Sequence, residues 1–492
     1  MSQPEKQINN GILLTIMLIG CFLSVLNQTI LNVALPDLMK EFKITATTVQ
    51  WLSTGFMLVN GILVPVTAFL MKRFTTRQLF ISSMSLLLIG TFVSAIAPGF
   101  ELLLTGRLIQ AAGAGIIMPL LMMVVLSVFP PERRGTAMGM IGLSIIFAPA
   151  IGPVLAGFVI EHYSWRWLFI GMLPLIIVII LLALKFLVNV SETSRPKLDI
   201  ISIILSTIGF GGILFGLSSA GDHGWGSAKV LLYLGVGIIF LIAFCWRQLT
   251  SADPLLNLQV FKEKMFTITS IILTLYTMIM YADMILLPLY LQTSRGFSVL
   301  DTGLLLLPGA VINAIMSPIT GRLFDKFGAK PLALIGLCLI TYATWDVTHL
   351  SDTTSFTFLM VRTIILRIGL SFLTMPINTA GLNALPKKLN AHGTAVSNTV
   401  RQLAGAMGTA LVVTYLTTRT KSHVTELMES GQVLSQSQLL KEASILGTND
   451  AYFFMLILAV ITFILTVFMP NKKAADDQGK TIGEGKLETS TK

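Results

Sequence analysis

Charge is what this chain has least of. Only 12% of its 492 residues are Asp, Glu, Lys or Arg, against the ~25% usual for a soluble globular protein, while 54% are hydrophobic. That deficit excludes a water-soluble domain and points to a polytopic membrane protein. Cysteine is scarce as well. Cys21, Cys245 and Cys338 fall in apolar segments far apart, which excludes a disulfide framework or a thiolate metal site and suggests small buried hydrophobes. Enzyme signatures are missing: there is no HExxH and no GxSxG. Gly479-Lys480-Thr481 resembles the end of a phosphate loop, but position 474 is Ala where the upstream Gly belongs. These absences argue against an intramembrane enzyme and against ATP as the direct energy source, and no cofactor or metal is implied.

What is present is length in apolar runs. A helix needs about 20 apolar residues to span a bilayer. About fourteen segments qualify, over 12–35, 50–71, 78–97, 102–126, 137–160, 166–188, 198–219, 229–248, 267–291, 300–323, 331–350, 355–384, 394–416 and 451–469. The expected fold is therefore all-α, with fourteen transmembrane helices. The first run is too long for a signal peptide and reads as an uncleaved span.

The net charge of +10 would suggest nucleic acid in a soluble protein. Here the cations sit in short connections, so the bilayer is the implied partner and nucleic acid is not. One set of loops holds Lys72, Arg73, Arg77, Arg133, Arg134, Arg195, Lys197, Lys262, Lys264, Lys326, Lys330, Lys387 and Lys388. The alternate loops hold Lys40, Lys43, Lys229 and Arg295. The positive-inside rule makes the first set cytoplasmic and places both termini inside. The polar stretch 417–450 then lies outside, long enough for a helical hairpin.

The chain repeats itself. PVTAFLMKRFTTR at 65–77 answers PITGRLFDKFGAK at 318–330, an offset of 253. Gly135-Thr136-Ala137 answers Gly393-Thr394-Ala395 at 258, and Met118-Pro119 answers Met375-Pro376 at 257. Near-constant offsets mean two related halves. The expected organisation is a six-helix bundle over 1–190 and two inserted spans over 191–250. A second six-helix bundle follows over 251–470, then a disordered cytoplasmic tail over 471–492. Paired bundles with a midplane site are a transporter arrangement.

Within the run 267–291 stands one carboxylate, Asp283. A charge mid-bilayer costs ~2.5–3.5 kcal/mol on insertion scales, so it usually faces a cavity or a partner. At helical spacing it shares a face with Tyr276, Met280, Leu287 and Tyr290. Two readings stand: a proton or cation site, or an acid paired to a buried arginine for assembly alone. In the fourth segment Arg107 and Gln110 lie three apart, and Arg107 is either a proton-relay partner or a structural cation. In the twelfth, Arg367, Ser371, Thr374 and Asn378 form a polar stripe, with Arg362 nearby. In the first, Ser24, Asn27, Gln28, Thr29 and Asn32 cluster. Several such stripes suggest a shared aqueous path that binds cargo. In the fifth, Ser144, Ala148, Gly152 and Ala156 recur every four residues, with Pro149 and Pro153 among them. That pattern serves a hinge or a sealed contact, or ordinary tight packing.

These residues resemble the major facilitator superfamily, in its fourteen-helix drug:proton antiporter branch, over residues 12 to about 470. GRLFDKFGAK at 321–330 is similar to the family's cytoplasmic-loop signature. It implies gating roles for Gly321, Asp325 and Lys326, whereas the first-half copy has Lys72 where the family has an acid. RLIQAAGAG at 107–115 and IGPVLAG at 151–157 are similar to the fourth- and fifth-helix signatures, and HGTAVSNTVRQLAGAMG at 392–408, with Arg401, also looks typical. LNQTILNVALP at 26–36 resembles the first-helix signature, except that Asn27 stands where the family usually has Asp. An amide cannot titrate, so the resemblance leaves Asp283 as the proton carrier, with Arg107 beside it in that role. The nearest flavour is the Gram-positive multidrug and lincomycin-type exporters of the bacterial cell membrane. The resemblance implies a monomer that exports hydrophobic, often cationic drugs in exchange for protons. An exporter of an endogenous anionic lipid, nucleotide or metabolite, using Arg107, Arg362 and Arg367, is the alternative. A non-transporting membrane sensor is the third.

Overall fold

The computed structural model describes residues 10–31, 34–44, 46–190, 199–251, 254–429 and 435–470. Helices dominate them. The first half holds α1 (Asn10–Ile30), the short α2 (Leu35–Phe42), α3 (Ala46–Arg73), α4 (Thr76–Ala95), α5 (Phe100–Val128), α6 (Pro131–His162), and α7 (Arg166–Ile170) continued by α8 (Met172–Phe186). Next come α9 (Ile200–His223) and α10 (Ala228–Thr250). The second half holds α11 (Lys264–Leu289), α12 (Val299–Phe327), α13 (Ala329–Val347), α14 (Phe356–Asn383), α15 (Asn390–Glu429) and α16 (Gln436–Val467). Among the described residues ten helices are long and apolar enough to cross a membrane, or eleven if the two parts of α3 count as one span. The expected segments within α6, α13 and α15 are not among them.

Local chemistry sets several boundaries. Thr75 opens α4 with a capping box: its hydroxyl accepts from Gln78 N–H, and Gln78 accepts from Thr75 N–H. Ser298 with Asp301, and Ser435 with Gln438, do the same for α12 and α16. Gly328, at φ 80°, ends α12 in a conformation that L side chains rarely adopt. Residues 417–429 and 436–450, expected as an outer loop, continue α15 and α16 as helix. The expected tail from 471 lies outside the described residues.

The chain divides into two compact units. The first takes the residues up to Val128, Ser144–Val260 and Lys387–Ala410. The second takes Phe129–Leu143, Phe261–Pro386 and the residues from Leu411. Each unit thus owns one stretch from the opposite half of the sequence. Residues 129–143 lie 258 positions before 387–401, the offset of the Gly-Thr-Ala repeat.

The repeat extends into backbone geometry. In the first unit α4 crosses α5 at Gly113, where an added Cβ would collide with Ser83 O and stand 3.0 Å from Leu87 N. In the second, α13 crosses α14 at Gly369, where a Cβ would meet Gly336 O at 2.7 Å and Ile340 N at 3.1 Å. Ser83 and Leu87 each precede Gly336 and Ile340 by 253 positions, and Gly113 precedes Gly369 by 256. The same crossing is built twice. The thiols are less uniform than expected: Cys21 is buried, Cys245 half-buried and Cys338 exposed.

Candidate functional site

Asp283 lies in the second unit on α11 and is almost fully buried. Its Oδ2 accepts a hydrogen bond from Arg367 Nη2 on α14 at 2.9 Å, a buried ion pair. The Tyr452 hydroxyl of α16 reaches its Oδ1 at 3.4 Å. A small, partly open cavity with room for about one water molecule lies beside the carboxylate, lined in part by Leu287, Thr344, Arg362 and Tyr452. The acid is therefore paired to a guanidinium, as the assembly reading requires, and also borders a small void, as the proton-site reading requires. Arg362 is bound in turn to Asp346, at 2.6 Å, and its guanidinium packs against the rings of Tyr342 and Phe358.

The companions expected on the face of α11 are placed differently. Tyr276 and Tyr290 are fully buried and Met280 half-buried, and none of the three lines the cavity. Tyr290 donates its hydroxyl to Ser351 O at 2.5 Å, which ties the end of the span to the α13–α14 loop. The stripe on α14 is also divided. Arg367 meets Asp283, but Ser371 and Thr374 donate to carbonyls of their own helix, Ile368 O and Leu370 O. Asn378 is buried further along. Tyr452, Thr344 and Asp346 were not expected here.

The first unit holds a second polar cluster, around Arg107 of α5, which is fully buried. Its Nη1 donates to Asn27 O at 2.9 Å, Asn27 Oδ1 at 3.0 Å and Gln110 Oε1 at 3.0 Å. Its Nε reaches Leu52 O at 3.4 Å, and Nη2 reaches the backbone carbonyl of Gln28 at 3.5 Å. The guanidinium stacks over Phe56 at 4.4 Å. Gln110 in turn donates to Thr91 Oγ1 at 2.9 Å, a partner the sequence pattern did not suggest. Carbonyl dipoles, not a carboxylate, hold this cation. Asn27 Nδ2 is buried with no hydrogen-bond partner among the described residues.

Asn27 and Asp283 are 256 positions apart, and Gln110 and Arg367 are 257 apart. The amide pair of the first unit and the ion pair of the second occupy matching places in the repeat. Only the second copy carries an acid. Arg107 and Asp283, expected to share one role, belong to different units.

A third group concerns the gating residues. Asp325, half-buried near the end of α12, accepts from Gly135 N–H at 2.9 Å, Thr136 N–H at 3.0 Å and Thr136 Oγ1 at 2.7 Å. Gly321 lies at the same approach: a Cβ there would strike the Gly135 carbonyl. Lys326 is exposed. The matching stretch of α15, in the first unit, has no carboxylate at the corresponding place. There His392 Nδ1 accepts from Asn257 N–H at 3.1 Å. Burial, and then the charge of Lys72, pushes the imidazole down to about 3. Arg401 is half-buried, and its Nε and Nη2 have no hydrogen-bond partner among the described residues. Gly152 packs on Thr29 of α1, where a Cβ would stand 2.7 Å from Oγ1. The side chains of Asn32 and Pro153 lie outside the described residues.

The family model described as Major Facilitator Superfamily matches residues 17–409. Lincomycin resistance protein LmrB of Bacillus subtilis (strain 168) is 43% identical, over 94% of this chain and 96% of that protein. Multidrug export protein EmrB of Escherichia coli (strain K12) is 30% identical, over 87% of this chain and 85% of that protein. Among solved structures, the human organic anion transporter MFSD10 (TETRAN) aligns at a TM-score of 0.67 and 14% identity, over 94% of this chain and all of that one; the likeness is one of fold.

Proposed function

The chain belongs to the Major Facilitator Superfamily, and from that premise we propose that it is a proton-coupled antiporter exporting hydrophobic, cationic drugs from the cytoplasm by alternating access. Its relatives are transporters, not enzymes, and include lincomycin and multidrug efflux proteins. On this reading fourteen spans form two six-helix bundles with α9 and α10 inserted between them. The protein works as a monomer in the cell membrane, with both termini in the cytoplasm.

The observation that carries the proposal is the buried Asp283–Arg367 pair bordering a cavity. An ionised Asp283 can balance one cation. In the resting pair that cation is Arg367. A cationic drug would compete with Arg367 for the carboxylate. Protonation of Asp283 neutralises the acid and leaves Arg367 as an uncompensated cation, which repels the drug. The coupling is then electrostatic exchange at one carboxylate. One elementary charge moving with the membrane potential supplies ~2.3 kcal/mol per 100 mV.

The test is proton flux in proteoliposomes, read by an internal pH dye and driven by a panel of lipophilic cations. Asp283→Asn should weaken the binding of cationic drugs and abolish drug-driven proton movement. Unchanged coupling in that variant would refute the assignment.

One observation favours the alternative of an endogenous anionic cargo: the unpartnered nitrogens of Arg401. The other candidate cations, Arg107, Arg362 and Arg367, are already engaged. Thermal stabilisation by anionic nucleotides or lipids, and not by cationic dyes, would support that reading.

A further inference from the structure

We infer that the second unit contains its own hydrated proton path, leading from the α13–α14 loop end through Thr344 and Arg362 to Asp283. The inference rests on the antiport reading above, and adds to it that the proton reaches the acid from inside one unit.

The lining of the cavity beside Asp283 is mostly apolar, with Leu287, Val347, Leu359 and Leu366 among it, and its polar residues include Thr344 of α13, Arg362 of α14 and Tyr452 of α16. Two of these polar residues carry a buried side-chain atom with no hydrogen-bond partner among the described residues, Thr344 Oγ1 and Arg362 Nε. Buried polar groups are almost always satisfied, by water where the protein offers nothing. The fully clear part of the cavity suits about one water molecule. A water there has a hydroxyl, a guanidinium N–H and a carboxylate oxygen around it, the two to four partners an internal water needs.

The path continues outward. Arg362 is paired to Asp346 at 2.6 Å, one residue before the end of α13. Both side chains are partly exposed, at 18% and 23%, whereas that of Asp283 is at 3%. The loop beyond them receives the Tyr290 hydroxyl at Ser351. The charged and titratable groups facing Asp283 are Arg367 and Arg362 from α14 and Tyr452 from α16; α13 contributes Thr344 and, at its end, Asp346.

The proton step balances simply. Asp346 does not itself line the cavity, so a proton taken up there leaves to solvent beside Arg362 and passes on to the cavity water, and that water gives a proton to Asp283. The water is left neutral, Asp346 returns to carboxylate, and both arginines keep their charge. Thr344 and Arg362 hold the water without titrating. They are positioning residues.

The experiment follows the protonated carboxyl of Asp283 by infrared spectroscopy of the purified full chain, its band assigned by its loss in Asp283→Asn. After transfer into heavy water, the band shifts at the rate at which solvent reaches the acid. Thr344→Val keeps the shape and removes the hydroxyl. It should slow that shift at least about tenfold, the equivalent in barrier of one lost hydrogen bond. Asp346→Asn, which removes the outer relay, should slow it likewise. Shift rates equal to wild type in both variants, or no carboxyl band at any pH where the protein is folded, would overturn the path. Ordinary shift rates alongside lost drug coupling in Asp283→Asn would sink the path and leave the antiport reading standing. Slowed shift rates alongside intact coupling in Asp283→Asn would do the reverse.

Discussion

Replacing Asn27 by Asp tests how the first unit holds a buried cation. Asn27 Oδ1 stands 3.0 Å from Arg107 Nη1. At an effective dielectric of about 20, a full charge there gains about 5 kcal/mol of attraction. Burying the carboxylate costs several kcal/mol, which offsets most of that gain. The substitution also removes the unpartnered Nδ2 donor, worth about 1–3 kcal/mol. Asn27→Asp should therefore be neutral to about 2 kcal/mol stabilising by this sum. In an Arg107→Met background the sign reverses, because the carboxylate is buried with no cation, at a cost of about 3–5 kcal/mol. The assay is a double-mutant cycle on unfolding of the purified protein in an SDS titration. Equal destabilisation by Asn27→Asp in both backgrounds would show that Asn27 Oδ1 is not the acceptor for Arg107, and the account of this cluster would fail.

Three further outcomes follow. Gly113→Ala and Gly369→Ala should each destabilise by about 2 kcal/mol or more, because the Cβ strikes backbone across a helix crossing; unfolding titrations check this, and indifference at either site would contradict the repeated crossing. Asp325→Ala should cost about 3 kcal/mol in the same assay, from three hydrogen bonds accepted by a half-buried carboxylate, and Asp325→Asn less; an Ala variant as stable as wild type would refute the anchor. His392 is held near 3 in the fold against 6.5 in the unfolded chain, so its contribution is complete above 6.5 and is lost as pH falls from there toward 3. Comparing wild type with His392→Asn across that window should show a flatter profile in the variant, and parallel profiles would mean the imidazole takes up a proton without penalty.

Much of the architecture was legible because apolar length and helical period dominate a membrane chain. The Arg107 cluster was half visible, since Arg107, Gln110 and Asn27 are the odd polar residues in their runs. Thr91 was not, because a threonine in a span looks self-satisfied. Around Asp283 the sequence pattern misleads in a specific way. Helical spacing tells which side chains point the same way as the acid, not what stands opposite. The groups opposite are Arg367, 84 residues on, and Tyr452, 169 residues on. Tyr290 fell out of register for a second reason: α11 ends at Leu289 and a π turn runs from Tyr290 to Ser294, so the 3.6-residue period no longer applies there. The polar stripe on α14 misled because Ser371 and Thr374 spend their hydroxyls on their own helix.

The stretch Lys387–Ala410 counts with the first unit although more than a hundred residues of the second precede it in the chain. A ribosome delivering this protein into a membrane therefore cannot finish the amino-terminal bundle when that bundle's own helices have emerged. The early helices must wait, one partner short, until synthesis has passed Ala410. The second unit finishes later still, once α16 has been made, and a chain cut between the halves would leave each fragment without a piece of itself.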